Sequence, residues 1–177
     1  MESRAKLLGH PIHQMLVVFP LGLLSAAVLF DIAWLSTGNR TFGAVAYWNI
    51  AAGVVCGLIS AVFGLWDWLA IPAATRAKAV GMWHGLGNVV VVALFAASWS
   101  MRYFGEAYAP ATAAVGLGVA GVLLALVTGW LGGELVDRLA VGVDPGAHLN
   151  SPSSLSGLPA SLTVPPDEPA SQERRAA

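Results

Sequence analysis

The chain alternates between long apolar stretches and short segments that carry charges. Four gaps between charged residues are each longer than the roughly 20 residues that a helix needs to cross the hydrocarbon core of a membrane. These gaps run from Lys6 to Asp31, Arg40 to Asp67, Lys78 to Arg102 and Glu106 to Glu134. The pattern therefore predicts an all-α integral membrane four-helix bundle. Its transmembrane helices lie near residues 13–35, 45–69, 78–101 and 112–136.

The tryptophans lie where these helices are expected to end. One set of ends has Trp34, Trp48 and Trp99, and the other has Trp66, Trp68, Trp83 and Trp130. Indole rings concentrate at membrane–water interfaces because one edge is polar and the rest is apolar. Their distribution therefore supports four spans.

Composition excludes an ordinary soluble domain. Charged residues make up 11 % of the chain and hydrophobic residues 56 %, whereas a soluble domain has about 25 % charged residues. The net charge of −1 gives no sign of nucleic acid binding. Cys56 is the single cysteine, so no intrachain disulfide is expected. A cleaved signal peptide fits poorly, since the first apolar stretch continues to Phe30 and three more follow it.

The basic residues predict an orientation. One end of the bundle has Arg4, Lys6, Arg76, Lys78 and Arg138, with Arg174 and Arg175 in the tail, whereas Arg40 and Arg102 lie at the other end. Because basic loops stay in the cytoplasm, we expect both termini to be cytoplasmic. From residue 145 onward the chain is rich in proline, serine and alanine. We therefore expect a transmembrane domain over residues 1–144 and a disordered cytoplasmic tail over residues 145–177.

Two polar pairs share one spacing. His13 and Asp31 are 18 residues apart, and so are His84 and Arg102. Eighteen residues make five helical turns, so each pair lies on one helix face, about 27 Å apart along the axis. Helices 1 and 3 run in the same direction. We therefore expect His13 to face His84 at the cytoplasmic end and Asp31 to form a structural ion pair with Arg102 at the other.

The cytoplasmic end collects further polar residues, and three interpretations of them remain open. The set is His10, His13, Asp67, His84 and Glu134, with Asn88 one turn after His84. In the first, His13 and His84 bind haem b iron axially, and His10, Asp67, Asn88 and Glu134 support them. In the second, His10, His13, His84, Asp67 and Glu134 hold a divalent metal. In the third, no cofactor binds and the same residues form a polar clasp between helices.

No motif in the chain indicates an enzyme. The zinc-protease, c-type haem, phosphate-loop and dinucleotide patterns are missing from the sequence. The two halves of the predicted bundle are weakly similar, since each begins with a histidine and ends with glycine, tryptophan and an acid. Two parallel hairpin repeats would fit this pattern, but the similarity does not establish a duplication.

Several segments, in order, resemble the bacterial membrane proteins grouped as domain of unknown function 2231. They are residues 9–16, which include His10 and His13, then 19–22, 67–72, 81–88 and 126–136. The resemblance covers about residues 7–157. It departs at Gln14, where the family often has proline, and at Val18, where some relatives have histidine.

The resemblance implies a four-helix protein of the bacterial inner membrane without an assigned activity. Some relatives are joined to Rieske-type iron–sulfur domains, which suggests a redox setting. We therefore expect a redox-linked membrane subunit that binds haem, or else a metal, through His13 and His84. Asp67 and Glu134 would orient an imidazole N–H or exchange protons. Its partners would be the lipid bilayer and either a redox partner or a second copy of the chain. The alternative is a structural or assembly protein without a cofactor.

Overall fold

A computed structural model describes residues 1–103, 105 and 108–165. Within them, four helical segments are long and apolar enough to cross a membrane. Span 1 is Ile12–Thr37, span 2 is Arg40–Ala70, span 3 is Arg76–Arg102 and span 4 is Thr112–Arg138. The predicted all-α four-helix membrane fold is confirmed. Span 2 begins about five residues earlier than expected, because the Asn39 side chain caps it by accepting from the Thr41 N–H at 3.0 Å.

Two of the spans contain local departures from a regular α-helix. Span 1 consists of the helices Ile12–Leu16 and Val18–Thr37, with a break at Val17. Pro20 explains this break, because proline has no N–H to donate to the carbonyl of Leu16. Span 4 is an α-helix over Thr112–Gly133 and then a π-helix over Glu134–Arg138.

The spans pair as two antiparallel hairpins. Spans 1 and 2 pack closely along their length, and so do spans 3 and 4. The hairpins meet where span 2 contacts span 3 and span 1 contacts span 4, which places spans 1 and 3 diagonally across the bundle. The middle of the bundle is apolar. Its core contains Leu24, Ala27, Val28, Ala46, Ile50, Val91 and Phe95.

The N-terminal segment, residues 1–11, folds back over the end of the bundle where spans 1 and 3 begin. Its two short strands, Lys6–Leu7 and His10–Pro11, pair antiparallel. The Met1 amino group donates to the Ala140 carbonyl at 2.7 Å, just after span 4. This segment therefore belongs to the folded structure, although the sequence predicted no element before the first helix, near residue 13.

The predicted tail lies partly within the described residues. Residues 145–165 form turns and a short 3-10 helix, Ser154–Ser156. The Val164 N–H donates to the Asn150 carbonyl at 2.8 Å, so these residues contact one another. Residues 166–177, with Pro166, Pro169, Arg174 and Arg175, lie outside the described part of the chain. The domain boundary at 144 and the disorder of the tail stay predictions.

Candidate functional site

His13 and His84 meet in the centre of the bundle at the end covered by the N-terminal segment. We call this the histidine end. The ring centroids are 6.3 Å apart and the ring planes are nearly perpendicular, at 88°. Both side chains are partly buried. The two histidines singled out from helix periodicity are therefore neighbours, although they come from diagonally opposed spans.

The His13 ring is fixed by span 2. Its Nδ1 lies 2.9 Å from the Ser60 carbonyl oxygen and 3.2 Å from the Ser60 hydroxyl. A carbonyl oxygen only accepts, so Nδ1 carries the proton and Nε2 keeps its lone pair. Gly64 lies one turn further along, and a Cβ there would be 2.8 Å from the ring carbon Cε1. The ring therefore fits only because residue 64 has no side chain.

The His84 ring is held in the same way by span 4. Its Nδ1 lies 2.8 Å from the Thr128 carbonyl oxygen. A Cβ on Gly132 would be 3.1 Å from its Cε1. Asn88 adds a contact of its own, because its side-chain nitrogen lies 3.2 Å from His84 Nε2. Each imidazole thus uses Nδ1 to hold a neighbouring backbone and leaves Nε2 for other contacts.

The contacts of His13 and the contacts of His84 are equivalent. Span 3 repeats span 1 after 71 residues, and span 4 repeats span 2 after 68 residues, as from Ser60 to Thr128. The match extends to the core: a Cβ on Gly53 would lie 2.6 Å from Leu24, and one on Gly121 would lie 2.6 Å from Phe95. The corresponding residues are His13 and His84, Ser60 and Thr128, Gly64 and Gly132, Leu24 and Phe95, Gly53 and Gly121, and Asp31 and Arg102. The bundle is therefore two repeated hairpins around a pseudo-two-fold axis.

The sequence also contains a signal for this repeat, apart from the glycine, tryptophan and acid endings. Residues 51–64 and 119–132, aligned at the same offset, share alanine, glycine, valine, leucine and glycine at five positions and match Ser60 with Thr128. The sequence pattern pairs the ending at residues 64–67 with the ending at residues 129–134, but the repeat in the structure is shifted relative to that pairing. In the structure Gly64 corresponds to Gly132, and Asp67 has no acidic counterpart.

Asp67 holds the N-terminal segment rather than an imidazole. Its carboxylate accepts the Ser3 hydroxyl at 2.7 and 2.8 Å, and the backbone N–H of Arg4 at 2.8 Å. The Ala5 N–H is 3.4 Å from the same carboxylate. The expectation that Asp67 orients a histidine is therefore wrong, because the Ser60 and Thr128 carbonyls do so.

Glu134 and His10 also lie apart from the histidine pair. Glu134 forms an ion pair with Arg76 at 2.5 Å, which links the start of span 3 to the end of span 4. His10 is exposed, and its Nε2 lies 3.3 Å from the Ser154 hydroxyl. Among the described residues, no three His, Cys, Asp or Glu side chains lie together so as to hold a metal ion. The expected cluster of His10, His13, His84, Asp67 and Glu134 is therefore not assembled.

Asp31 and Arg102 form an ion pair at the opposite end of the bundle, which we call the ion-pair end. Arg102 Nη1 and Nη2 donate to the two Asp31 carboxylate oxygens at 2.5 and 2.7 Å. Arg102 also donates to the Ser98 hydroxyl at 3.0 Å. Both charged residues are fully buried. The pair links spans 1 and 3, as the equal spacing led us to expect.

The family model described as predicted membrane protein (DUF2231) matches residues 9–145. The chain belongs to this family. The part of the DUF2231 protein that matches contains both hairpins, the histidine pair and the ion pair, and it ends where the tail is predicted to begin. No curated protein and no solved structure matches the chain.

Proposed function

We propose that this DUF2231 protein is a redox-linked membrane subunit that binds haem b between His13 and His84. The observation that carries the proposal is the ring pair on the pseudo-two-fold axis, with centroids 6.3 Å apart. Both rings have Nδ1 engaged with a backbone carbonyl, which is how proteins commonly orient a ligating histidine. Side chains from facing helices are the usual ligands of a cofactor in a four-helix bundle.

The donor set favours haem over a bare divalent ion. Zinc and similar ions are held by three or four protein ligands, and no such cluster occurs among the described residues. Haem carries its own four equatorial nitrogens, so it needs only one or two axial side chains from the protein. Two histidines on opposed spans meet that requirement. Bound haem would supply one-electron exchange within the membrane.

The protein's own groups would bind and orient this cofactor. The carbonyls of Ser60 and Thr128 fix the rotation of the two rings, and Gly64 and Gly132 leave room for them. Asp67 secures residues 3–5 over the histidine end, which restricts the access of water from that side. Neither Asp67 nor Glu134 has a part in proton exchange with the rings in this scheme.

The absorption spectrum of the purified protein tests the proposal. The full chain is expressed in haem-replete cells, purified in detergent, and examined for a Soret band and for extractable haem. We expect bound haem in the wild type and its loss in His13→Ala and His84→Ala. His148→Ala is the control that should retain it, since His148 lies outside the matched region. A colourless wild-type protein from such cells would refute haem binding.

A second function, the polar clasp, is favoured by a specific observation. Each imidazole already links two helices through the carbonyl of Ser60 or Thr128, with no cofactor needed for that contact. A structural or assembly protein would use the pair in this way alone. It predicts a colourless protein in which His13→Ala and His84→Ala lower the unfolding temperature. Coloured wild-type protein would exclude it.

The proposed orientation places the histidine end in the cytoplasm of a bacterium, within its inner membrane. It is supported by the basic residues at that end, among them Arg4, Lys6, Arg76, Lys78 and Arg138. A reporter enzyme that is active only in the cytoplasm should be active when it is fused after residue 177. A reporter that is active only in the periplasm should be inactive there, and its activity would refute the proposed orientation. A redox partner or a second copy of the chain would then approach from the cytoplasmic side or within the bilayer.

A further inference from the structure

The hairpin in the N-terminal segment has two exposed leucines at its tip. Leu7 ends the first strand and pairs with His10, so Leu8 and Gly9 form a two-residue loop. Leu7 is 53 % exposed and Leu8 is 69 % exposed. We call Leu7 and Leu8 the leucine tip. Leaving two adjacent leucines in water forgoes the stabilisation that burial of apolar surface gives, so the tip indicates a contact with an apolar phase or molecule.

The backbone at the tip makes leucine an unfavourable residue there. The φ angle is +51° at Leu8 and +82° at Gly9, and two positive values in a two-residue loop define a type I′ turn. Such turns favour asparagine or aspartate before the glycine, because a bulky side chain is strained in the left-handed region. The hairpin has the usual glycine but a leucine before it. The turn itself therefore gives no reason for leucine at residue 8, whereas an apolar contact does.

The tail packs beside the hairpin and leaves the leucine tip open. A Cβ on Gly9 would lie 2.7 Å from Ser154 Cβ, and the Ser154 hydroxyl lies 3.3 Å from His10 Nε2. Leu155, the next residue, is itself 67 % exposed. Residues 166–177 contain alanine and proline but no larger apolar side chain. That end of the chain is therefore a poor partner for the leucines.

The base of the hairpin lies at the depth of the membrane interface. Span 1 begins at Ile12, directly after the second strand, and the Ile12 N–H donates to the Ala5 carbonyl at 2.8 Å. The Arg4 N–H donates to Asp67, which follows Trp66, one of the indoles expected at this interface. Two residues of strand extend roughly 7 Å, and each headgroup layer is about 5–7 Å thick. The leucine tip is therefore within reach of the headgroups.

We propose that the leucine tip inserts into the interface of the bilayer that the chain spans and anchors the N-terminal segment over the histidine end. Leucines at this depth meet the upper part of the acyl chains, as on the apolar face of an interfacial helix. Asp67 and Lys6 hold the base of the segment by polar contacts, and the lipid holds its tip. The docking of residues 1–11 over His13 and His84 then depends on the bilayer. This inference does not require a bound haem.

Fluorescence quenching locates the tip. The full chain carries Leu8→Cys in a Cys56→Ser background, is labelled with an environment-sensitive dye and is reconstituted in phosphatidylcholine vesicles. We expect a nitroxide on the lipid headgroup to quench the dye strongly and acrylamide in the water to quench it weakly. The same dye on Leu29→Cys, at an exposed position within span 1, marks the hydrocarbon core, and the dye on free cysteine marks water.

Two results would overturn the proposal. Acrylamide quenching as strong as that of the free cysteine dye would place the tip in water. Protection from both quenchers would place it in a protein interface, with a second copy of the chain or another protein as the occupant.

A second measurement needs no label at the tip. Leu7→Thr removes the apolar side chain, and threonine suits a strand well, so a tip in water would leave the hairpin as stable as before. A tip in lipid should lose about half the stabilisation of a fully buried leucine, so we expect hydrogen exchange at the Ile12 amide to be roughly threefold to tenfold faster in the vesicles. Leu149→Thr is the matched control, because Leu149 is fully exposed in the tail.

We expect Leu149→Thr to exchange at the wild-type rate. Equal exchange in the wild type and Leu7→Thr, or equal acceleration by Leu7→Thr and Leu149→Thr, would contradict an anchor at the tip. Neither measurement depends on the absorption spectrum of the protein. The lipid anchor and the haem site are therefore supported or refuted separately.

Discussion

Single residues at the histidine end determine where the two rings can lie. Gly64 and Gly132 pass against the carbon edge of each imidazole, while a backbone carbonyl one turn earlier receives each Nδ1 proton. The glycine and the carbonyl constrain the ring from two sides. A ring held in this way loses little further freedom when Nε2 acquires a ligand, which favours binding.

Gly64→Ala should displace the His13 ring. Its Cβ would lie 2.8 Å from His13 Cε1, whereas Gly85 in span 3 has no atom within 4 Å of its Cβ position. Alanine in a helix gains about 1 kcal/mol over glycine, and overpacking costs about 1–3 kcal/mol. We therefore expect Gly85→Ala to raise the unfolding temperature in detergent and Gly64→Ala to lower it, with loss of any bound haem. Equal stability of the two variants would contradict the close contact.

At the scale of elements, the spans were predictable and the N-terminal segment was not. An uncharged segment long enough to cross a bilayer is expected to be an α-helix, because backbone polar groups in lipid must pair within a helix. The face that His13 and His84 share followed from helix periodicity. The partners of Asp67 did not, because Ser3 is 64 residues away and no periodic pattern links them.

The same limit applies to the chemistry of the site. That histidines and carboxylates gather at one end followed from topology alone. Which carboxylate meets which donor depends on side-chain contacts that a one-dimensional pattern does not contain. Asp67 binds the N-terminal segment and Glu134 binds Arg76. Backbone carbonyls orient the two imidazoles instead. Residue types cannot predict which carbonyl does so, since every residue has one.

Lys6 should make the docking of the N-terminal segment depend on pH. A hydrogen bond to Asp144, with a further contribution from Glu2, raises the pKa of Lys6 above its ordinary value of 10.5. Because the folded pKa is the higher one, the stabilisation is fully present below pH 10.5 and is lost as the pH rises through the folded pKa. Only 24 % of the Lys6 side chain is exposed, but its partners Glu2 and Asp144 are more open to water, so we expect the effect to be local rather than global.

A spin label reports this release directly. Leu7 is 53 % exposed and tolerates a label through Leu7→Cys in a Cys56→Ser background, which removes the single native cysteine. We expect the label to become more mobile as the pH rises above 10.5. With Lys6→Met added, the label should be mobile at every pH and show no transition. A transition that persists in Lys6→Met would assign the pH dependence to another group.

At the scale of the whole molecule, the repeat explains why the two ends of the bundle differ. Corresponding residues of the two hairpins meet on the pseudo-two-fold axis, His13 with His84 and Asp31 with Arg102. Two neutral imidazoles can lie side by side on this axis even if the two hairpins are identical. Two aspartates or two arginines, fully buried, would repel. The ion pair therefore requires halves that have diverged within one chain.

Exchanging the two charges tests this symmetry. Asp31→Ala or Arg102→Ala alone leaves a buried charge without its partner and should cost about 3–5 kcal/mol of unfolding free energy. Because positions 31 and 102 correspond, the double variant Asp31→Arg with Arg102→Asp should recover much of that loss. Recovery should be incomplete, since Arg102 also bonds Ser98, whereas the position that corresponds to Ser98 is Ala27.

Adding Ala27→Ser to the charge-exchanged protein should therefore raise its stability further, while Ala27→Ser in the wild type should only crowd a fully buried position. Thermal unfolding of all the variants in one detergent compares them directly. If the exchanged protein is no more stable than either single variant, positions 31 and 102 are not interchangeable. The two hairpins would then resemble each other at the histidine end and in the core without sharing an axis along the whole bundle.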